Sequence, residues 1–181
     1  MKKLTLAFAV SGALLGSSAA MAAGPNVITF QGEVTDQTCE VEINGNGANP
    51  IVLLPTVSAS DLSGAGSTAG ETTFTLSLTN CTAPSTDLAT KTRFVGNSLD
   101  GDNLKNATGA GYATNVALQL LDAPAGTAMA LSSGAVEVAG ANILAGETSA
   151  EVDHAVQYIS VAGGATVGAV TGSVQYEVIY Q

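Results

Sequence analysis

Apolar residues in this chain recur at every second position in short runs, and that period of two commits it to strands more firmly than any other feature of the sequence. The runs are rich in Val, Ile, Thr, Phe and Tyr, and each is bounded by Gly, Asn, Ser or Pro, which end strands and turn the chain. Strands are expected at 27–34, 39–43, 51–54, 72–78, 92–95, 115–121, 154–161 and 172–180. Turn signals separate them at Asn44-Gly45-Asn46-Gly47, Gly64-Ala65-Gly66, residues 97–101 and Ala162-Gly163-Gly164. The Ala, Gly, Ser and Thr richness between Ala123 and Ser149 reads as loops and short strands. Many short strands without strand–helix alternation predict an all-β antiparallel sandwich of immunoglobulin-like type. The tryptophan that packs on the bridge of antibody domains has no counterpart, because the chain contains none.

The first residues, Met1-Lys2-Lys3, are basic and precede an apolar stretch over 4–15, shorter than the roughly 20 residues that a membrane span needs. Small residues follow, and Ala20-Met21-Ala22 places alanine at the two positions a signal peptidase reads. Residues 1–22 are therefore expected to be a signal peptide cut before Ala23, with an N-terminal membrane anchor as the alternative. Removing 22 of the 181 residues leaves 159, enough for one domain with a real core. The remaining basic residues are Lys91, Arg93 and Lys105; three against 15 acidic residues give a net charge of −12. Such a surface repels nucleic acid and anionic membrane alike.

Two cysteines, Cys39 and Cys81, lie in a chain addressed to an oxidising compartment, and two make one bridge with nothing left over. The alternatives are a pair of buried thiols or a metal pair. The latter lacks Cys-x-x-Cys spacing and has only His154 for an imidazole ligand. Material for catalysis is equally scarce, with one histidine and three basic residues in the mature chain, so no enzyme and no cofactor are expected. His154 reads as a partly buried or surface residue of its strand. Glu151 and Asp153, two apart, share one face of a strand and read as a solvated acidic face. Gly109-Ala110-Gly111 and Gly163-Gly164 lack the lysine of a phosphate loop, and Asp100, Asp102 and Asn103 lack the rest of a calcium loop; both read as turns.

The two ends of the mature chain carry the functional signal. At the C-terminus Val174, Tyr176, Val178 and Tyr180 alternate with Ser173, Gln175, Glu177 and Ile179. At the other end Ile28, Phe30, Gly32 and Val34 alternate with Thr29, Gln31, Glu33 and Thr35. Periodicity alone says only that each end is a strand, and an ordinary core strand satisfies it. An extended segment over 24–32 would span about 30 Å and present a side chain to one face at every second residue. Together the run Val27-Ile28-Thr29-Phe30-Gln31-Gly32-Glu33-Val34, the following Cys39, Gly168, the alternating C-terminal strand and the penultimate Tyr180 resemble the pilin family of chaperone-usher fimbriae. The resemblance is nearest to the major subunit of type 1 fimbriae and covers essentially the whole chain.

That resemblance implies an incomplete immunoglobulin-like sandwich lacking its C-terminal strand, with a groove that a neighbouring subunit's donor strand completes. Residues 23–32 would be the N-terminal donor-strand extension and 33–181 the pilin domain. Ile28 and Phe30 would be the main groove-filling side chains, Gly32 would sit where no side chain fits, and Gly24 and Asn26 would take the other inward positions. Gly168, Val174, Tyr176, Val178 and Tyr180 would form the groove strand, held first by a periplasmic chaperone. The implied partners are identical subunits in a head-to-tail polymer, the chaperone, an outer-membrane usher, minor subunits and a tip adhesin. The implied destination is the cell surface, reached through the periplasm. The function expected is a shaft subunit of an adhesive fimbria, the alternatives being a minor adaptor subunit or a free secreted binding domain. A two-domain adhesin would need a lectin domain, for which 159 residues leave no room.

Overall fold

The computed structural model describes residues 35, 37 and 39–181, all within one compact unit, Glu33–Gln181. The expected signal peptide, the 23–32 extension and the strand at 27–34 lie outside the described residues. Among the described residues nine strands form: β1 (Glu40–Ile43), β2 (Ser67–Thr79), β3 (Thr90–Gly96), β4 (Leu99–Asp100), β5 (Asn103–Lys105), β6 (Ala117–Leu121), β7 (Val136–Ala139), β8 (Ala150–Ser160) and β9 (Val174–Tyr180). Two short 3₁₀ turns, Ala59–Leu62 and Leu131–Ser133, are the only helical elements among the described residues. The strands make a six-stranded sheet in the order β1-β2-β8-β6-β5-β4 and a three-stranded sheet in the order β7-β3-β9. Each ladder between them is antiparallel.

The alternation read from the sequence is what packs the two sheets together. Phe74, Leu76 and Leu78 of β2, Leu118 and Leu120 of β6 and Val156 of β8 face Phe94 of β3 in one buried cluster. Fully burying an apolar side chain of this size contributes about 1.5–3 kcal/mol, so this cluster is the main stabilising feature of the domain. Cys39 and Cys81 are joined by a disulfide that ties the residue just before β1 to the second residue past the end of β2. The turn after β1 carries Asn44 at φ 50° and Gly45 at φ 75°, the left-handed pair that a two-residue hairpin requires.

Three expectations need correction. Residues 51–54 join no ladder among the described residues, although their alternation survives: Ile51 and Leu53 are 77% and 83% exposed, whereas Val52 and Leu54 pack against the core. Residues 97–101 are more than a turn, since Leu99–Asp100 pairs with Asn103–Lys105 in a small hairpin. The strand expected from Asn115 begins at Ala117, because Asn115 sits at φ 56°, outside the extended region.

The strands run between two ends of the molecule. At one end β8 finishes and β9 is about to begin, and residues 57–66, 106–116 and 161–172 gather there. At the other, β1 and β8 begin and β9 finishes, beside the disulfide and residues 144–149.

Candidate functional site

Strand β9 is bonded on one side only. Its seven residues pair with β3 from Gly96↔Val174 to Thr90↔Tyr180, and its other edge has no strand beside it among the described residues. Gln175 and Glu177 point to solvent, while Val174, Tyr176, Val178 and Tyr180 share the opposite face and pack against the core cluster. Along the free edge an open groove of about 520 Å³ runs between the sheets. Its walls are apolar: Phe74, Leu118, Val156 and Tyr158 on the six-stranded sheet and Phe94, Val174 and Tyr176 on the other. The rims are the two irregular segments 50–54 and 170–173. An unpaired strand edge beside exposed core side chains is the arrangement that accepts an added strand.

The lead into β9 is held by polar contacts rather than by a ladder. Asn106, buried, donates through Nδ2 to the carbonyls of Ala113 (2.7 Å) and Ala169 (3.2 Å) and accepts from the Thr171 N–H at 2.8 Å. Asn97 donates to Ser173 Oγ and accepts from Gln175 Nε2, each at 2.9 Å. Gly168 lies upstream of β9 and outside the groove lining. There the chain crosses Tyr112 and Ala113 so closely that a Cβ would collide with the Ala113 nitrogen and the Tyr112 carbonyl carbon. Gly70, at φ 64° in a bulge of β2, is required for a similar reason: a Cβ there would meet Val57 at 2.8 Å and the Tyr158 ring at 3.0 Å. The outer face of the three-stranded sheet carries an ion-pair row, with Arg93 between Glu137 (2.7 Å) and Glu177 (3.1 Å) and Lys91 on Glu137 at 3.3 Å. The hydrogen bond from Arg93 holds the Glu137 carboxyl below its ordinary pKa.

Behind the groove, His154 is fully buried, contrary to the expectation of a partly buried or surface residue. Its Nδ1 lies 2.8 Å from the Asp122 carbonyl and its Nε2 lies 3.3 Å from the Thr92 hydroxyl. A carbonyl only accepts, so Nδ1 carries the proton and Nε2 accepts from Thr92. The ring meets Phe94 edge-on at 5.2 Å and Phe74 at 5.8 Å, and both phenylalanines line the groove. Burial pushes the imidazole pKa below its ordinary value, the Asp122 carbonyl opposing in part. Glu151 and Asp153 accept from Ser77 and Thr75 of the neighbouring strand on the solvent face. Among the described residues no group of three or more His, Cys, Asp or Glu is placed to hold a metal ion.

Of the groove residues expected from the sequence, Val174 and Tyr176 line the opening, Val178 and Tyr180 continue the same face, and Gly168 does not reach it. Gly24, Asn26, Ile28, Phe30 and Gly32 lie outside the described residues. The opposite wall was not singled out from the sequence. Its residues are the apolar positions of alternating strands, and alternation does not say which core residues a groove leaves uncovered.

The family model described as "Fimbrial protein" matches residues 28–181. The major fimbrial subunit SMF-1 of Stenotrophomonas maltophilia is 37% identical over 168 residues, covering 87% of this chain and 94% of that one. The F17 fimbrial protein of Escherichia coli is 35% identical over 170 residues, covering 91% and 92%. A solved subunit of a chaperone-usher pilus, 19% identical, superposes with a TM-score of 0.52 over 89% of this chain and 98% of that one.

Proposed function

Because the chain belongs to the fimbrial protein family, we propose that it is the repeating shaft subunit of a fimbria, polymerised by a neighbour's N-terminal strand entering the groove beside β9. Its fold is that of the incomplete immunoglobulin-like pilins, and it works as a structural pilus subunit. The observation that carries the donor-strand reading is the free edge of β9 beside an apolar opening of about 520 Å³. A strand added there would gain a backbone ladder from β9 and bury alternate side chains against Phe74, Phe94 and Tyr158. Residues 23–32 are the donor in this reading, with Ile28 and Phe30 facing in and Gly32 passing where space is least. Because a shift of one residue turns every inward side chain outward, those two large residues fix the register.

The periplasmic chaperone would occupy the same edge first, since the uncovered groove is an aggregation hazard. Delivery through an outer-membrane usher and a tip adhesin complete the set of partners, with the surface fimbrium as the destination. The test is denaturing electrophoresis of oxidised filaments with and without boiling, beside a variant lacking residues 23–31. A heat-resistant ladder that the deletion abolishes is expected, whereas a monomer at all temperatures would refute polymerisation through that segment. A minor adaptor would give the same ladder but few copies per filament, so subunit counting separates the two.

A further inference from the structure

The two ends of the domain differ in charge. Between Lys105 and Leu121, and again between His154 and Tyr176, the sequence contains no Asp, Glu or Arg. Within these stretches, residues 106–116 and 161–172 build the end of the molecule where β9 begins, with 57–66 adding only Asp61. Lys105 stands there, exposed, and is the cation without an ion pair among the described residues. The opposite end gathers Glu40, Asp87, Glu147 and Glu151.

The charge-poor end also presents apolar side chains on a stiff frame. Val167 is 90% exposed, and Tyr112, whose backbone bridges Ala169 two residues farther along, is 37% exposed. Their loops are locked to one another: Thr166 N–H donates to the Thr114 carbonyl at 3.1 Å, Thr114 N–H donates to the Thr166 hydroxyl at 2.8 Å, and Ala165 N–H reaches Leu62. A large apolar residue held out of contact by this many hydrogen bonds gains nothing for the monomer.

Strand direction says what stands opposite. Each ladder in the domain is antiparallel, and antiparallel pairing is the more stable per residue. A donor antiparallel to β9 leaves the groove at the end where β9 begins, which is the charge-poor end. From Gly32 to Cys39 the donor chain has seven residues, at most about 25 Å when fully extended. Cys39 sits at the acidic end of its own domain.

We infer that the charge-poor end, with Tyr112, Val167 and Lys105, is the seat for the acidic end of the neighbouring copy that donates its strand, and that this contact stiffens the filament. The inference rests on the donor-strand reading and adds a second interface to it. Lys105 would face Glu40, Asp87 or Glu147 of the neighbour, a pairing that packing two acidic ends against each other would not provide.

The test uses assembled filaments of wild-type, Val167→Asp and Lys105→Glu chains. Val167 is too exposed for the change to unfold the domain, and the heat-resistant ladder checks that strand exchange survives. Expected are an intact ladder in all three and a several-fold shorter persistence length by electron microscopy in both variants. Treating wild-type filaments with a carbodiimide, which condenses an amine and a carboxylate with loss of water, should join Lys105 to Glu40, Asp87 or Glu147 of another copy. Unchanged stiffness in both variants, or Lys105 coupled elsewhere or not at all, overturns the seat while leaving strand exchange standing. Absence of a ladder in the wild type would instead overturn the donor-strand reading itself.

Discussion

Removing the disulfide should show how much of the domain's stability resides in its denatured state. The bond spans 42 residues, and closing a loop of that length restricts the unfolded chain by about 4 kcal/mol in the chain-entropy model. Domains of this size are stable by about 5–15 kcal/mol, so a Cys39→Ser/Cys81→Ser variant forfeits a large share. The native state loses as well, because β1 is a four-residue strand whose one ladder partner among the described residues is β2. At about 2–4 °C per kcal/mol for this length, Tm should fall by about 8–16 °C. The assay is urea and thermal unfolding of a single chain in which residues 23–32 are repeated after Gln181 through a short flexible loop. That form is geometrically simple, since an antiparallel donor starts where β9 ends. Reducing agent should reproduce the loss in the wild-type version and leave the double variant unmoved. A difference below about 1 kcal/mol at unchanged m-value would refute the loop-entropy reasoning.

Phe30→Asp should abolish the heat-resistant ladder by placing a charge inside the groove, whereas Thr29→Asp, on the opposite face, should leave most of it; equal ladders would refute the assigned face. The pKa of His154 is lowered in the folded state, so between that value and about 6.5 the unfolded chain binds more protons. Stability of the single-chain form should therefore be complete above about pH 6.5 and decline below it, and His154→Gln should flatten that decline in urea titrations at pH 5 and pH 8. Gly168→Ala should cost about 1–3 kcal/mol by forcing the 168–169 and 112–113 backbones apart, read as a lower urea midpoint.

The existence of the longer strands was legible from the sequence: β2, β3, β6, β8 and β9 each overlap a run marked by the period of two, although β2 and β8 begin well before the expected 72 and 154. The Asn44-Gly45 turn was legible too, because only a left-handed pair closes so tight a hairpin. Residues 51–54 show the limit. Alternation reports that one face meets the core, but a strand also needs a neighbour's edge, and none of the described residues supplies one. His154 was misplaced because its surroundings come from Thr92 and Asp122, residues 62 and 32 positions away in the chain. Asn106 gave no local signal either, since its three partners are backbone groups brought together by the crossing of two loops. The free edge of β9 was inferred from the resemblance of the chain's ends, not from its residues taken alone.

The direction of β9 also governs how the polymer would meet force. The strand runs from one end of the domain to the other, and in the donor-strand reading tension between neighbouring copies would pass along it. An antiparallel neighbour seated along it would be strained in shear, with its whole ladder of hydrogen bonds bearing the tension at once. Peeling, which breaks such bonds one after another, would require a pull across the strand. Flow past an anchored cell supplies tension along the filament and little across it, so the geometry of one free edge sets the direction in which the chain of subunits is hardest to part.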